Sequence, residues 1–165
     1  IYGVSKLNMD KITWDLIEKK TDLKIVGLRY FNVYGPGEER KGKMASMMRQ
    51  LFLQMDQNKN PRLFKYGKQK RDFVYIKDVI QANVKAALSG KSGVYNVGFG
   101  EARNFNDIVK NLNLNMGKNL EIEYFDNPYD FYQNHTKADI TNDIDYKPEY
   151  NLENGIKNYF KFLKL

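Results

Sequence analysis

Ile1-Tyr2-Gly3-Val4-Ser5-Lys6 opens the chain, and the next strongly marked stretch is Leu28-Arg29-Tyr30-Phe31-Asn32-Val33-Tyr34-Gly35-Pro36. In the first, Tyr2 and Lys6 stand one helical turn apart. That spacing puts both side chains on one face of a helix, about 5–6 Å between Cβ atoms. An ammonium fixed beside a phenol favours the phenolate and draws the tyrosine pKa down from about 10 toward neutrality. Such a tyrosine can exchange a proton with a substrate hydroxyl. Spacing alone does not separate this reading from an ordinary surface helix start, and Tyr66 and Lys70 share it. Context separates them. Tyr66 adjoins Gly67 in a basic run that reads as a turn, whereas Tyr2 begins a long amphipathic segment that leads into a strand.

Composition narrows the classes. The chain has 165 residues, enough for one domain with a core. Lys and Arg total 27 against 20 Asp and Glu, a net charge of +7. Basic residues are scattered among acids, which reads as a solvated surface. A nucleic-acid-binding module needs aromatics interleaved with Lys and Arg on one face. Here the aromatics fall on apolar stripes and strands, so no nucleic-acid partner is expected. The absence of Cys excludes thiol chemistry, disulfides and thiolate metal sites, and is compatible with the expected cytoplasmic location. His135 is the only histidine and reads as structural, so neither a His-based triad nor a metal centre is expected. No apolar run approaches the length of about 18 residues that spans a bilayer. No glycine-rich nucleotide loop occurs; Gly98-Phe99-Gly100 reads as a strand-ending turn.

Periodicity gives strands alternating with helices, an α/β pattern. Helices are expected over 3–20, 43–54, 78–88, 104–112, 139–144 and from Asn151 onward. Strands are expected over 24–29, 63–64, 72–75, 93–98 and 120–124. Leu7, Met9, Ile12, Leu16 and Ile17 give the first helix a rough apolar face. Met44, Met47, Met48, Leu51 and Met55 form a stripe that reads as core, with service at a subunit interface as an alternative. Residues 126–135 read as a loop.

The Tyr2/Lys6 pair followed by Arg29, Asn32, Tyr34, Gly35 and Pro36 after a strand resembles the extended short-chain dehydrogenase/reductase family. The likeness grows with Lys41-Gly42-Lys43-Met44-Ala45-Ser46, with Arg71-Asp72-Phe73-Val74-Tyr75, and with Tyr132-Gln133-Asn134-His135-Thr136-Lys137-Ala138-Asp139. These runs are similar to the branch of the family that epimerises ADP-activated glyceromanno-heptose at carbon 6. Another nucleotide-sugar epimerase or dehydratase is the alternative. The resemblance implies the C-terminal part of a Rossmann-type fold plus a small α/β substrate-binding lobe. The Rossmann part would be residues 1–36 and 71–99, and the lobe 37–70 and 100–165. The family's nucleotide-loop half precedes the tyrosine, so the chain reads as a C-terminal fragment, inactive alone, with NADP or NAD bound mainly by the other half.

Residue roles follow from the same resemblance. Tyr2 is one acid/base, and Lys6 holds the cofactor ribose. Val33 lies along the nicotinamide, and Lys41 is the second acid/base, also beside the cofactor. Asn32, Lys43, Gln50, Phe64, Arg71 and Tyr132 line the site for the ADP-heptose. Positions 43 and 50 depart from the more usual Ser and His. Read from residues alone, Lys41 is a solvated loop lysine, and Arg71 is equally a surface salt-bridge partner. A homo-oligomer is expected.

Overall fold

The computed structural model describes residues 1–19, 22–126 and 133–164. Among them, helices are α1 (Tyr2–Glu18), α2 (Met47–Asp56), α3 (Ile76–Leu88), α4 (Phe105–Met116) and α5 (Leu152–Leu163). Strands are β1 (Val26–Tyr30), β2 (Asn32–Tyr34), β3 (Arg62–Phe64), β4 (Lys70–Tyr75), β5 (Gly93–Val97), β6 (Ala102–Asn104) and β7 (Glu123–Phe125). The chain has a Rossmann-like α/β fold with three parallel strand pairs and one antiparallel pair.

The extended segment after Lys24 changes partner midway. β1 runs parallel to β5 with Leu28 opposite Tyr95, and β2 runs parallel to β4 with Val33 opposite Val74. Phe31 marks the change: its amide donates to the Val97 carbonyl, and its own carbonyl accepts from Val33. β6 adds to β4 antiparallel, and β3 pairs parallel with β7. α1 lies against β1 and β5, where Gly27 brings the strand up to Thr13 and Arg29 Nε donates to Asp10 at 3.0 Å.

Two apolar clusters hold these layers. One joins Val74, Val79, Ala82, Ala86, Val97, Ile144 and Tyr146 between the strands and α3. The other gathers α2, α4 and α5 around Tyr34, Leu63, Phe73 and Tyr75. Ile76 packs against both. Asp72, fully buried, ties strand to loops. Its carboxylate accepts the amides of Phe99 at 2.7 Å, Gly100 at 2.8 Å and Ala138 at 2.9 Å. Gly98-Phe99-Gly100 is therefore a strand-ending turn that donates to an acid of its own chain.

Several expectations shift. α2 begins at Met47 rather than 43, because Ser46 caps it by accepting the Arg49 amide. Met48, Leu51 and Met55 are buried in the chain's own core, whereas Met44 is exposed. The strand expected over 120–124 is β7 at 123–125, because the Asn113 amide both donates to and accepts from the Leu120 backbone. No helix forms over 139–144. There Asp139 accepts the Thr141 amide, and Asn142 brackets Ile140 and Tyr146, local bonds that compete with helical ones. The apolar face read on α1 buries no residue: Leu7, Met9, Ile12 and Leu16 are exposed. α3 turns Val79, Ala82 and Ala86 inward and leaves Ile80, Val84 and Leu88 outside.

Candidate active site

α1 carries Tyr2 and Lys6 on one face, as their spacing requires. Lys6 Nζ lies 5.3 Å from the centre of the Tyr2 ring. Tyr2 is 76% exposed. Its carbonyl accepts the Ser5 hydroxyl at 2.7 Å, which steadies the first turn. Asn32 opens β2 exposed, and Val33 follows it half-buried against the cluster beneath α3.

Past β2 the chain makes a compact strap from Gly35 to Ser46 that carries Lys41 and Lys43, both exposed. A 3-10 turn covers Glu39–Met44 with a break at Gly42, whose φ of 51° and ψ of −126° suit glycine. Glu38 is only 3% exposed. Its carboxylate accepts from Ser46 N at 2.7 Å, Ser46 Oγ at 2.8 Å, Tyr159 Oη at 3.2 Å and Gly35 N at 3.4 Å.

Gln50 and Phe64 meet in a cleft of about 760 Å³ between α2 and the β3/β7 pair. Gln50 Nε2 donates to Lys43 O at 3.1 Å and Ala45 O at 2.7 Å, so α2 holds the end of the strap. Opposite, Phe64 stands edge-on to Phe125 at 5.9 Å, and the Arg62 guanidinium sits 5.1 Å above the Phe125 ring while pairing with Glu123 at 2.9 Å. Arg62, Glu123 and Phe125 were missed in the sequence. The signal for them is a cross-strand relation: the β3/β7 register sets Arg62 opposite Glu123 and Phe64 opposite Phe125. Aromatic floor, amide and guanidinium together suit a flat, polar-edged ligand with anionic groups.

Arg71 leaves β4 half-buried, with Nη1 donating to Lys70 O at 2.8 Å and Nη2 to Gln133 O. Tyr132 lies outside the described residues. Thus Gln50 and Phe64 share one cleft, Gln50 also holding the Lys43 carbonyl, and Tyr2 and Lys6 share one helix face. Among the described residues no hydrogen bond, ion pair or ring contact joins Tyr2 or Lys6 to Lys41. Among them, too, no cluster of His, Asp and Glu is placed to hold a metal, and no helix is long and apolar enough to cross a membrane.

Residues 1–98 match the NAD dependent epimerase/dehydratase family. The chain belongs to that family. Solved structures agree. The Helicobacter pylori ADP-L-glycero-D-manno-heptose-6-epimerase is 49% identical with a TM-score of 0.89, over 99% of this chain and 51% of that one. A UDP-N-acetylglucosamine 4-epimerase from Methanobrevibacter ruminantium is 27% identical with a TM-score of 0.87, over 99% of this chain and 53% of that one. A Bacillus cereus UDP-glucuronic acid 4-epimerase, solved with UDP-glucuronic acid and NAD, is 30% identical with a TM-score of 0.81, over 99% and 52%. This member of the epimerase/dehydratase family therefore spans about half the length of the solved relatives it matches.

Proposed function

We propose that this chain carries the acid/base and sugar-nucleotide part of an ADP-glyceromanno-heptose 6-epimerase, interconverting ADP-D-glycero- and ADP-L-glycero-D-manno-heptose for the lipopolysaccharide core. The observation that supports it is the 49% identity to the Helicobacter pylori heptose epimerase across nearly the whole chain, against 27% and 30% to the 4-epimerases. On this reading the protein is a bacterial, cytoplasmic homo-oligomer. Residues 1–36 and 71–99 belong to the nucleotide domain, and 37–70 and 100–165 to the substrate lobe.

The exposed phenol and ammonium on one turn of α1 are a donor set that fits a dinucleotide's ribose and nicotinamide ends. NADP, or NAD, is held mainly by the half of the family fold that this chain does not span. When bound, it supplies a reversible store for hydride. The chain's own groups handle protons and orientation. Tyr2 takes or returns the proton of the carbon 6 hydroxyl on one face of the sugar carbon. Lys6 holds the ribose beside Tyr2, and Val33 supports the nicotinamide. The two epimers present that hydroxyl in opposite orientations, so one acid/base serves only one of them. Lys41, on the exposed strap, serves the other. Asn32, Lys43, Gln50, Phe64 and Tyr132 line the ADP-heptose, and Arg71 offers a guanidinium to its diphosphate.

The test joins this chain to the nucleotide-binding half of the Helicobacter pylori relative and supplies ADP-heptose, UDP-glucuronic acid and UDP-N-acetylglucosamine in turn. Conversion of the ADP-heptose epimers alone is expected. Turnover of a UDP-sugar in preference to ADP-heptose overturns the heptose assignment and favours a 4-epimerase. The isolated chain is expected to be inactive and to bind nicotinamide dinucleotide poorly; micromolar binding in a calorimetric titration overturns that division of labour.

A further inference from the structure

We propose that Glu38 is a positioning residue that sets the Lys41 strap through its buried carboxylate. The proposal rests on the reading of Lys41 as the second acid/base. The strap leaves the end of β2 and must re-enter α2 with Lys41 at its outer bend. Its ends are joined not by strand pairing but by one acid. Glu38 takes the backbone and hydroxyl of Ser46 at the exit and the amide of Gly35 at the entrance. The same Ser46 oxygen accepts the Arg49 amide and so begins α2. Glu38 thus fixes strap closure and helix start together. Within the loop, Lys41 N donates to Glu38 O at 3.0 Å and Ala45 N to Gly42 O at 3.1 Å, so the Lys41 backbone is braced from the same residue.

The fourth donor comes from elsewhere in the fold. Tyr159 on α5 gives its hydroxyl to Glu38, and burial pushes that phenol's pKa up, which keeps it protonated and donating. Three of these donors meet Oε2 and one meets Oε1, so both carboxylate oxygens are engaged by this chain's own groups. It acts through the strap and not on a substrate.

Amide hydrogen exchange in this chain, compared with Glu38→Gln, Glu38→Ala and Ser46→Ala, tests the tie. Losing a hydrogen bond to a charged acceptor is expected to speed exchange at Lys41, Ala45 and Ser46 by roughly 10–100-fold. Protection over Asp72–Tyr75 in β4 is expected to persist. Unchanged exchange at those three amides overturns the proposal. So does an equal rise throughout β4 in every variant including Ser46→Ala, which would make the cluster a general core element. A second arm measures epimerisation in the fused enzyme. Glu38→Gln should lower kcat while leaving KM, and should leave unchanged the half-reaction that Lys41→Met retains. A loss of that half-reaction overturns action through Lys41. Should Lys41→Met itself keep full activity, the acid/base reading falls, and the link from Glu38 to chemistry falls with it.

Discussion

The hydroxyl of Tyr34 at the end of β2 lies against the Cα of Gly155 in α5, so close that a β-carbon at position 155 would collide with it. The Tyr34 side chain spans from strand to helix there and ends against the bare glycine. The Tyr34 hydroxyl also reaches the Leu152 carbonyl at 3.5 Å, and burial pushes its pKa well up.

Gly155→Ala should therefore destabilise the fold. Overpacking typically costs about 1–3 kcal/mol, offset in part by roughly 1 kcal/mol of better helix propensity. Tyr34→Phe removes the nearest colliding atom but leaves the ring carbon that bore it close to the new methyl, so the double variant should recover part of the loss. Urea unfolding of both singles and the double measures the coupling; strict additivity would show that the two residues do not meet.

Asp72 makes a second prediction. Asn at this site keeps the size but turns one acceptor oxygen into a donor facing the amides of Phe99 or of Gly100 and Ala138. Asp72→Asn should cost about 2–4 kcal/mol, the scale of losing charge-assisted bonds in a buried site. Chemical denaturation gives the number, and a loss well under 1 kcal/mol would deny the carboxylate its role.

Acid stability should report two carboxylates of opposite sign. The Arg103 guanidinium, donating to Glu153 at 2.6 Å, holds that carboxyl below the usual range. Its folded pKa lies below the unfolded value of about 4.3, so its stabilisation is present above that pH and is lost as pH falls through the folded value. Burial raises the Asp78 carboxyl, and the Glu149 and Tyr150 amides oppose the shift only in part. Its contribution is full below about pH 3.9 and is lost as pH rises through the folded value. Thermal melts between pH 3 and 7 should show a flatter acid limb for Glu153→Gln and a steeper one for Asp78→Asn. Glu153 is partly exposed, so added salt should shrink its share.

In the fused enzyme, Tyr2→Phe should lower turnover about 10²–10⁴-fold, the scale of a general acid/base. Lys41→Met should stop interconversion yet spare the half-reaction on the face Tyr2 serves. Product stereochemistry and hydride exchange for each variant separate the two. Normal epimerisation by Lys41→Met would return Lys41 to a solvated loop lysine.

Much of the fold could be read because its signals are local. Asn104 and Asp107 form the capping box that starts α4, and Asn151 caps α5, both within a few residues. Phe64 and Gln50 were named for the sugar-nucleotide site from resemblance, and they share a cleft. What escaped depends on partners elsewhere in the fold or on side chains that bind their own neighbouring backbone. Nothing near Glu38 announces that Tyr159 will donate to it, and the break of one extended run into β1 and β2 at Phe31 is set by Val97. The expected helix over 139–144 failed where Asn142 and Asp139 bind the backbone themselves.

The strand pairing also sets how the chain must fold. β1 meets β5 with Val26 opposite Gly93, β2 meets β4 with Asn32 opposite Phe73, and β3 meets β7 with Arg62 opposite Glu123. None of these pairs is a hairpin, so large loops must close before any strand gains a partner. Such high contact order belongs to the slow end of small-domain folding, with milliseconds to seconds as the usual range. On the ribosome, a chain stopped before Gly93 holds β1 without its neighbour, an open edge available to another chain. Early refolding should accordingly show α2, α4 and α5 protected first, and the β1/β5 amides last.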